Sequence, residues 1–348
     1  MKPISVLIVE DSPIVQIVLK RILSKESDIV VMGVASDAFE AKRWVIKDKP
    51  DVITLDIEMP RMDGITFLKR LMSYRPIPVV MISSYTHKNS LRTMEALEAG
   101  AVDFVTKPSQ DVERGLTELS DDIISKIRAA AQSRVKVDFL RHKPRLKAEK
   151  DHYTVSQKLI AIGASTGGPP VIQKILSGFF FQTRGIVIAQ HMTERYTRAF
   201  AERLNSLFPF EVREACDMDC IDQGKVLIAP GGKHVRVIRE DDDYIIRVEN
   251  PSKTDHQCPS ADILFHSVAK SAGPNAVGII LTGMGQNGAD GIAAMKKAGA
   301  YTIAQDEASC VVFGMPGAAI KRGGIDIVAS PDDIPSLILA KSKETVNI

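Results

Sequence analysis

The chain has 348 residues, 45% hydrophobic and 25% charged, with a formal net charge of +2, so it is long enough for about two globular domains. So small a charge gives no global reason to expect nucleic acid or an anionic membrane surface as partner. No apolar run reaches the roughly 18 residues that span a bilayer, and Met1-Lys2-Pro3 leads into a strand pattern instead of a signal peptide, so a cytoplasmic location without membrane insertion is expected.

Residues 4–107 alternate short β-type runs with helical patterns. The run "ISVLIV" (4–9) is followed by Ser12-Pro13, a cap and first-turn proline that open a helix with Ile14, Ile17, Val18 and Ile22 on one face. The runs "DVITLD" (51–56), "PVVMIS" (78–83) and "AVDFVT" (101–106) repeat the strand signal. Near-continuous apolar strands separated by helices predict a parallel sheet covered on both faces. A helical stretch from about residue 110 to 132 closes this half.

Residues 134–157 lack steady periodicity, and between 134 and 150 seven Lys/Arg stand against two acids. This segment reads as a solvated linker, with partner docking as the second reading. From Lys158 the alternation resumes in "KLIAIGAS", "GIVIAQH" (185–191), "GKVLIAP" (224–230), "AVGIILTGMG" (276–285) and "YTIAQD" (301–306), while 235–250 predicts a hairpin around Asp241-Asp242-Asp243. The expected fold class is α/β, with two doubly wound parallel-sheet domains, the second carrying a small antiparallel hairpin. The expected boundaries are 1–132, a linker at 133–156, and 157–348. The four cysteines, Cys216, Cys220, Cys258 and Cys310, are too irregularly spaced for a zinc site and are expected to be reduced.

In the first half Glu10 and Asp11 follow the first strand and Asp56 ends the third. The carboxyl ends of parallel strands form a binding crevice, and carboxylates clustered there suit a hard cation such as Mg²⁺. Ser83 and Lys107 stand at two further strand ends. The motifs "IVEDSP", "LDIEMPRMDG", "MISS" and "VTKP", in that order, resemble a two-component receiver domain over about residues 4–126. The resemblance implies that Asp56 accepts a phosphoryl group from a histidine kinase. It further implies Mg²⁺ held by Asp11, Asp56 and the backbone carbonyl of Glu58, with Glu10 nearby, Ser83 and Lys107 contacting the phosphoryl oxygens, and Phe104 at the position of the family's rotating aromatic.

In the second half "GASTGGPP" (163–170) places Ser165 on a glycine-rich strand-to-helix turn. Locally this is either a G-x-S-x-G nucleophile or an anion-cradling loop. His191 ends the next strand run, so its side chain reaches the same crevice as Ser165, as a base for a serine nucleophile must. The turn in "LTGMGQNGADG" (281–291) offers backbone N–H groups, that of Met284 among them, for an oxyanion hole, and a polar side chain to orient His191.

The motifs "GASTGGP", "AQHM", "APGGKH", "LTGMG" and "AQDEASCVVFGMP" resemble the chemotaxis protein-glutamate methylesterase family, CheB, over nearly the whole chain. The resemblance implies hydrolysis of γ-glutamyl methyl esters on methyl-accepting chemoreceptors, deamidation of receptor glutamines, gating by phosphorylation, and no cofactor in the esterase domain. Ser165 is then the nucleophile and His191 its base. The family's third member is an aspartate at the position of Asn287, with Asp290 as a possible substitute. An asparagine keeps the hydrogen bond and loses the charge, so the alternative is an impaired esterase-like regulator that acts by binding receptors. A DNA-binding output is not expected, because no helix-turn-helix with a basic recognition helix is visible.

Overall fold

The computed structural model describes residues 2–84, 87–108, 111–133, 156–178, 183–253 and 257–343. The chain divides into two compact units, residues 1–142 and 143–348. The basic stretch expected as a linker lies almost wholly outside the described residues.

The first unit is built on β1 (Ile4–Val9), β2 (Ile29–Ala35), β3 (Val52–Asp56), β4 (Val79–Ser84) and β5 (Asp103–Lys107), in the order β2-β1-β3-β4-β5 with every pair parallel. The chain first runs to one side of β1 and then to the other, so β1 and β3 flank the topological switch point where a crevice opens. Val6, Leu7, Ile8, Ile53 and Leu55 are fully buried, each stabilising the fold by about 1.5–3 kcal/mol relative to exposure.

Helix α1 (Pro13–Leu23) starts where Ser12-Pro13 predicts, although the Ser12 side chain makes no cap hydrogen bond. Its inner face is Val15, Val18, Leu19, Ile22 and Leu23, whereas Ile14 and Ile17 are 60% and 65% exposed. The expected apolar face was therefore turned too far toward solvent on its N-terminal half. The helical stretch at 110–132 is two helices, Val112–Glu118 and Ser120–Gln132.

The second unit holds β6 (Ser156–Ala164), β7 (Thr183–Gln190), β8 (Glu211–Glu214), β9 (Lys225–Ile228), β12 (Ala276–Ile280), β13 (Tyr301–Gln305) and β14 (Ile327–Ala329). They form one parallel sheet in the order β14-β13-β12-β6-β7-β9-β8. Here the switch point falls between β6 and β12. The predicted hairpin is β10 (His234–Glu240) paired with β11 (Asp243–Glu249), and it turns at Asp241 with φ 51°. Its inward residues Val235, Val237, Tyr244 and Ile246 join a core with Leu264, Phe265 and Val268 of α9 (Ala261–Ser271). Ser267 Oγ accepts from the Val237 N–H at 2.9 Å, and Ser271 Oγ donates to the Val237 carbonyl at 2.7 Å, fixing α9 on the hairpin. All four cysteines are free thiols.

Candidate functional site

Each unit places chemistry-bearing side chains at its own switch point. In the first, Asp56 ends β3 and Glu10 follows β1, at 2% and 1% exposure. Lys107, at the end of β5, lies 2.8 Å from Asp56 Oδ2 and 2.8 Å from Glu10 Oε2. Burial, then the charge of Asp56, pushes the Glu10 carboxyl up to about 7 against the opposing pull of Lys107. Burial likewise raises Asp56 while Lys107 draws it down, and Lys107 is raised by the two carboxylates despite its burial.

Two buried carboxylates against one ammonium leave an excess of negative charge that a divalent cation would neutralise. Glu10, exposed Asp11 and buried Asp56 each offer an oxygen within 4.8 Å of the others, a hard-oxygen donor set that fits Mg²⁺. Glu58 is exposed, its N–H donating to Asp56 Oδ1 at 3.3 Å and its carboxylate accepting from Ser84 Oγ at 3.0 Å. Ser83 is buried, and its hydroxyl is engaged through long contacts to the Ser84 carbonyl (3.3 Å) and Thr93 Oγ1 (3.4 Å). Phe104 is buried on β5, with Lys126 Nζ 5.4 Å from its ring centroid. Behind Asp56 the loop returns so closely that a Cβ on Gly64 would stand 1.9 Å from the Asp56 carbonyl oxygen, which explains the glycine of "RMDG".

In the second unit Ser165 follows β6 directly and precedes α7 (Gly168–Leu176), the strand-turn-helix setting of a nucleophile elbow. Ala164 pairs with Gln190 across β6 and β7, and the His191 N–H donates to the Ala164 carbonyl at 2.9 Å, so Ser165 and His191 leave neighbouring strands side by side. The Ser165 N–H donates to the Thr282 carbonyl at 3.0 Å, tying the elbow to the turn after β12. Thr282 is itself held by the Gln305 side chain at its N–H (2.8 Å), and Gln190 Nε2 donates to the Ser165 carbonyl at 2.9 Å. Gln190, Thr282 and Gln305 are buried polar residues that a motif reading leaves unassigned. They satisfy the backbone of an irregular crevice, which hydrophobic periodicity does not report.

Asn287 completes the group. Its Oδ1 lies 3.0 Å from His191 Nε2 and accepts from the Ala261 N–H at 2.8 Å. A backbone N–H can only donate, so this contact fixes which end of the amide is oxygen, and Nε2 is then the protonated nitrogen of a neutral imidazole. Nδ1 is left as the basic atom, fully enclosed and without a partner among the described residues. Burial holds the His191 pKa below its ordinary value, opposed by the bond to Asn287 and the charge of Asp262. The Ser165 and His191 side chains are not hydrogen-bonded to each other; such catalytic bonds commonly tighten only with substrate bound.

Asp290, the possible substitute, is not in this group. It is exposed and ion-paired with Arg322, because the first turn of α10 (Ala289–Lys297) carries it away from the crevice. Met284 lies on the turn beside Ser165. On that turn a Cβ on Gly283 would stand 2.6 Å from Ser165 Cβ and 2.4 Å from Met315 Sδ. Gly283→Ala is therefore expected to displace Ser165 and cut ester hydrolysis by about 10²-fold, measured as initial rate against wild type.

The family model for CheB methylesterase matches residues 160–338, and that for the response regulator receiver domain matches 6–118. A protein-glutamate methylesterase/protein-glutamine glutaminase of Syntrophotalea carbinolica is 47% identical over 343 residues, 97% of each chain. One of the same name from Salmonella typhimurium is 46% identical over 346 residues, 98% of this chain and 97% of its own. Among solved structures, the Thermotoga maritima CheB methylesterase catalytic domain is similar at a TM-score of 0.51 and 33% identity, covering 54% of this chain and all of its own. With one receiver unit, one esterase unit and relatives aligned end to end across both, this chain belongs to the CheB protein-glutamate methylesterase family.

Proposed function

We propose that the chain is a phosphorylation-gated serine hydrolase, acting in the cytoplasm, that removes methyl groups from γ-glutamyl esters of chemoreceptors as methanol and deamidates receptor glutamines. The observation that carries this reading is the convergence of Ser165, His191 and Asn287 at one carboxyl edge, with the histidine tautomer set by the Asn287 carbonyl.

Ser165 Oγ attacks the ester carbonyl as His191 Nδ1 takes its proton. Collapse of the tetrahedral intermediate expels the methoxy group, which leaves as methanol with the proton from His191. Water, deprotonated by the same nitrogen, then hydrolyses the acyl-enzyme and frees Ser165. The lowered His191 pKa keeps the base neutral at pH 7, as the first step requires. Residues 157–348 carry this chemistry, and residues 1–132 carry the switch. Asp56 takes a phosphoryl group from the chemotaxis kinase, and Asp11, Asp56 and the Glu58 carbonyl, with Glu10 beside them, would hold the Mg²⁺ that screens the incoming phosphate.

The test is methanol release from membranes bearing methylated receptors, with and without a small-molecule phosphodonor. Release that rises with phosphodonor supports the proposal; none in either condition overturns it. A binding-only regulator is not favoured, since relatives spanning nearly the whole chain bear an enzyme's name. Because a carboxylate at the third position stabilises the imidazolium, Asn287→Asp is expected to raise kcat by about 10²- to 10⁴-fold. The mass at residue 287 must be checked in wild type, since an Asn-Gly pair can deamidate to the same aspartate.

A further inference from the structure

Asn287 is held at both ends of its amide. While Oδ1 accepts from Ala261 and faces His191, Nδ2 donates to Ser260 Oγ at 3.0 Å and to Asp262 Oδ2 at 3.3 Å. All three partners sit at the start of α9, where Ser260 caps the helix. Asp262 Oδ1 accepts from the Gly291 N–H at 2.7 Å, which clamps the carboxylate between α9 and α10 and aims its second oxygen at the amide. A continuous path thus runs from a carboxylate through a carboxamide to the catalytic imidazole. Among the described residues Asp262 is the charged group that acts on His191, while Glu194 and Arg195 are exposed and Asp290 is paired with Arg322.

We infer that Asp262 is a positioning residue of the esterase site: acting through Asn287, it locks the amide orientation that sets the His191 tautomer and supplies the negative charge that position 287 lacks. This rests on the reading of Ser165, His191 and Asn287 as the catalytic set. Polarised by the carboxylate at its N–H end, the amide carbonyl becomes a better acceptor for Nε2–H, and the imidazolium formed on attack meets a negative charge one group away. The same geometry limits what an aspartate at 287 adds. It would set two carboxylates about 3.3 Å apart, where they repel, so the gain from Asn287→Asp falls at the lower end of its range.

The experiment is a double-mutant cycle on the full chain with kcat and kcat/KM followed against pH. Asp262→Asn keeps an oxygen for the Gly291 N–H but turns an amide NH2 toward Asn287 Nδ2, so it removes both the charge and the acceptor that hold the Asn287 amide, while the Gly291 tie between α9 and α10 stays and the thermal midpoint should hold. Expected are a fall in kcat of about 10- to 100-fold, part of the roughly 10⁴-fold attached to a direct carboxylate, with KM little changed. The acid limb of kcat/KM should move to lower pH, because the group favouring the imidazolium is gone. In the Asn287→Asp background the same change should cost less than about threefold, since the charge is then carried at 287. A structural role in holding α10 would instead give equal losses in both backgrounds and an unmoved pH limb, and that result overturns the inference. His191→Ala is the control for the underlying reading: if it stays active, the catalytic set itself is wrong, whereas an inactive His191→Ala beside an unaffected Asp262→Asn rejects the role of Asp262 alone.

Discussion

Replacing Ser165 by alanine is expected to abolish methanol release, with a loss of at least about 10⁴-fold in kcat, while the protein stays folded. The size follows from the chemistry: without Oγ no acyl-enzyme forms, and only water oriented by the remaining crevice is left to attack. The specificity of the effect follows from the structure. The Ser165 backbone is tied down by Thr282, Gly168 and Gln190, but its hydroxyl makes no hydrogen bond among the described residues, so removing it leaves no buried partner unsatisfied. The thermal midpoint should therefore shift little, and labelling of Asp56 by phosphodonor should continue at the wild-type level. Retention of more than a few per cent of the activity would place the nucleophile elsewhere.

The meeting of Ser165 and His191 at one edge was legible because strand ends in a parallel sheet all open on one edge, so two residues just after consecutive strand runs must be neighbours there. The central strands were legible for a related reason. Val6 to Val9, Leu159 to Ile162 and Val277 to Ile280 are buried on both faces and read as unbroken apolar runs. Three of the four edge strands of the two parallel sheets, β2, β8 and β14, are not among those runs: each is partly exposed, and "EVRE" (211–214) alternates charges with a single valine, whereas the fourth, β5, keeps enough apolar residues in "AVDFVT" to be read. On α1, Ile14 and Ile17 mimic a buried face because an isoleucine signals burial wherever it stands, yet the helix rotates to bury Val15 and Leu19.

Asn287 was legible only through family resemblance, and its environment not at all. Ser260, Ala261 and Asp262 lie more than twenty residues upstream, on a helix whose approach to the crevice is set by packing against the hairpin and α10. No local spacing encodes that meeting. The placement of Asp290 shows the converse, since closeness in sequence to Asn287 did not bring it to His191: one helical turn directs it to Arg322.

Asp56→Asn is expected to eliminate phosphoryl labelling by a small-molecule donor in the presence of Mg²⁺ and to leave ester hydrolysis at its unstimulated rate. Other acids at the switch point do not substitute. Glu10 has both carboxylate oxygens against the Lys107 ammonium, and Asp11 is exposed beyond the end of its strand, whereas Asp56 ends the central strand beside Ser83's end of β4 with one oxygen on Lys107 and the other on the Glu58 N–H at 3.3 Å. Phosphorylation adds about −1.5 to −2 charges where two buried carboxylates already share one ammonium. The added charge is sustainable only if Lys107 turns from Glu10 and Asp56 to the new oxygens and the Ser83 hydroxyl exchanges its long contacts for a phosphoryl oxygen. An asparagine offers no anionic oxygen to accept the phosphoryl group and removes one of the acids that would hold Mg²⁺, so both the label and its stimulation of the esterase should vanish together. Equal labelling of wild type and Asp56→Asn would move the acceptor to another residue; loss of label with stimulation intact would break the link between phosphorylation and hydrolysis.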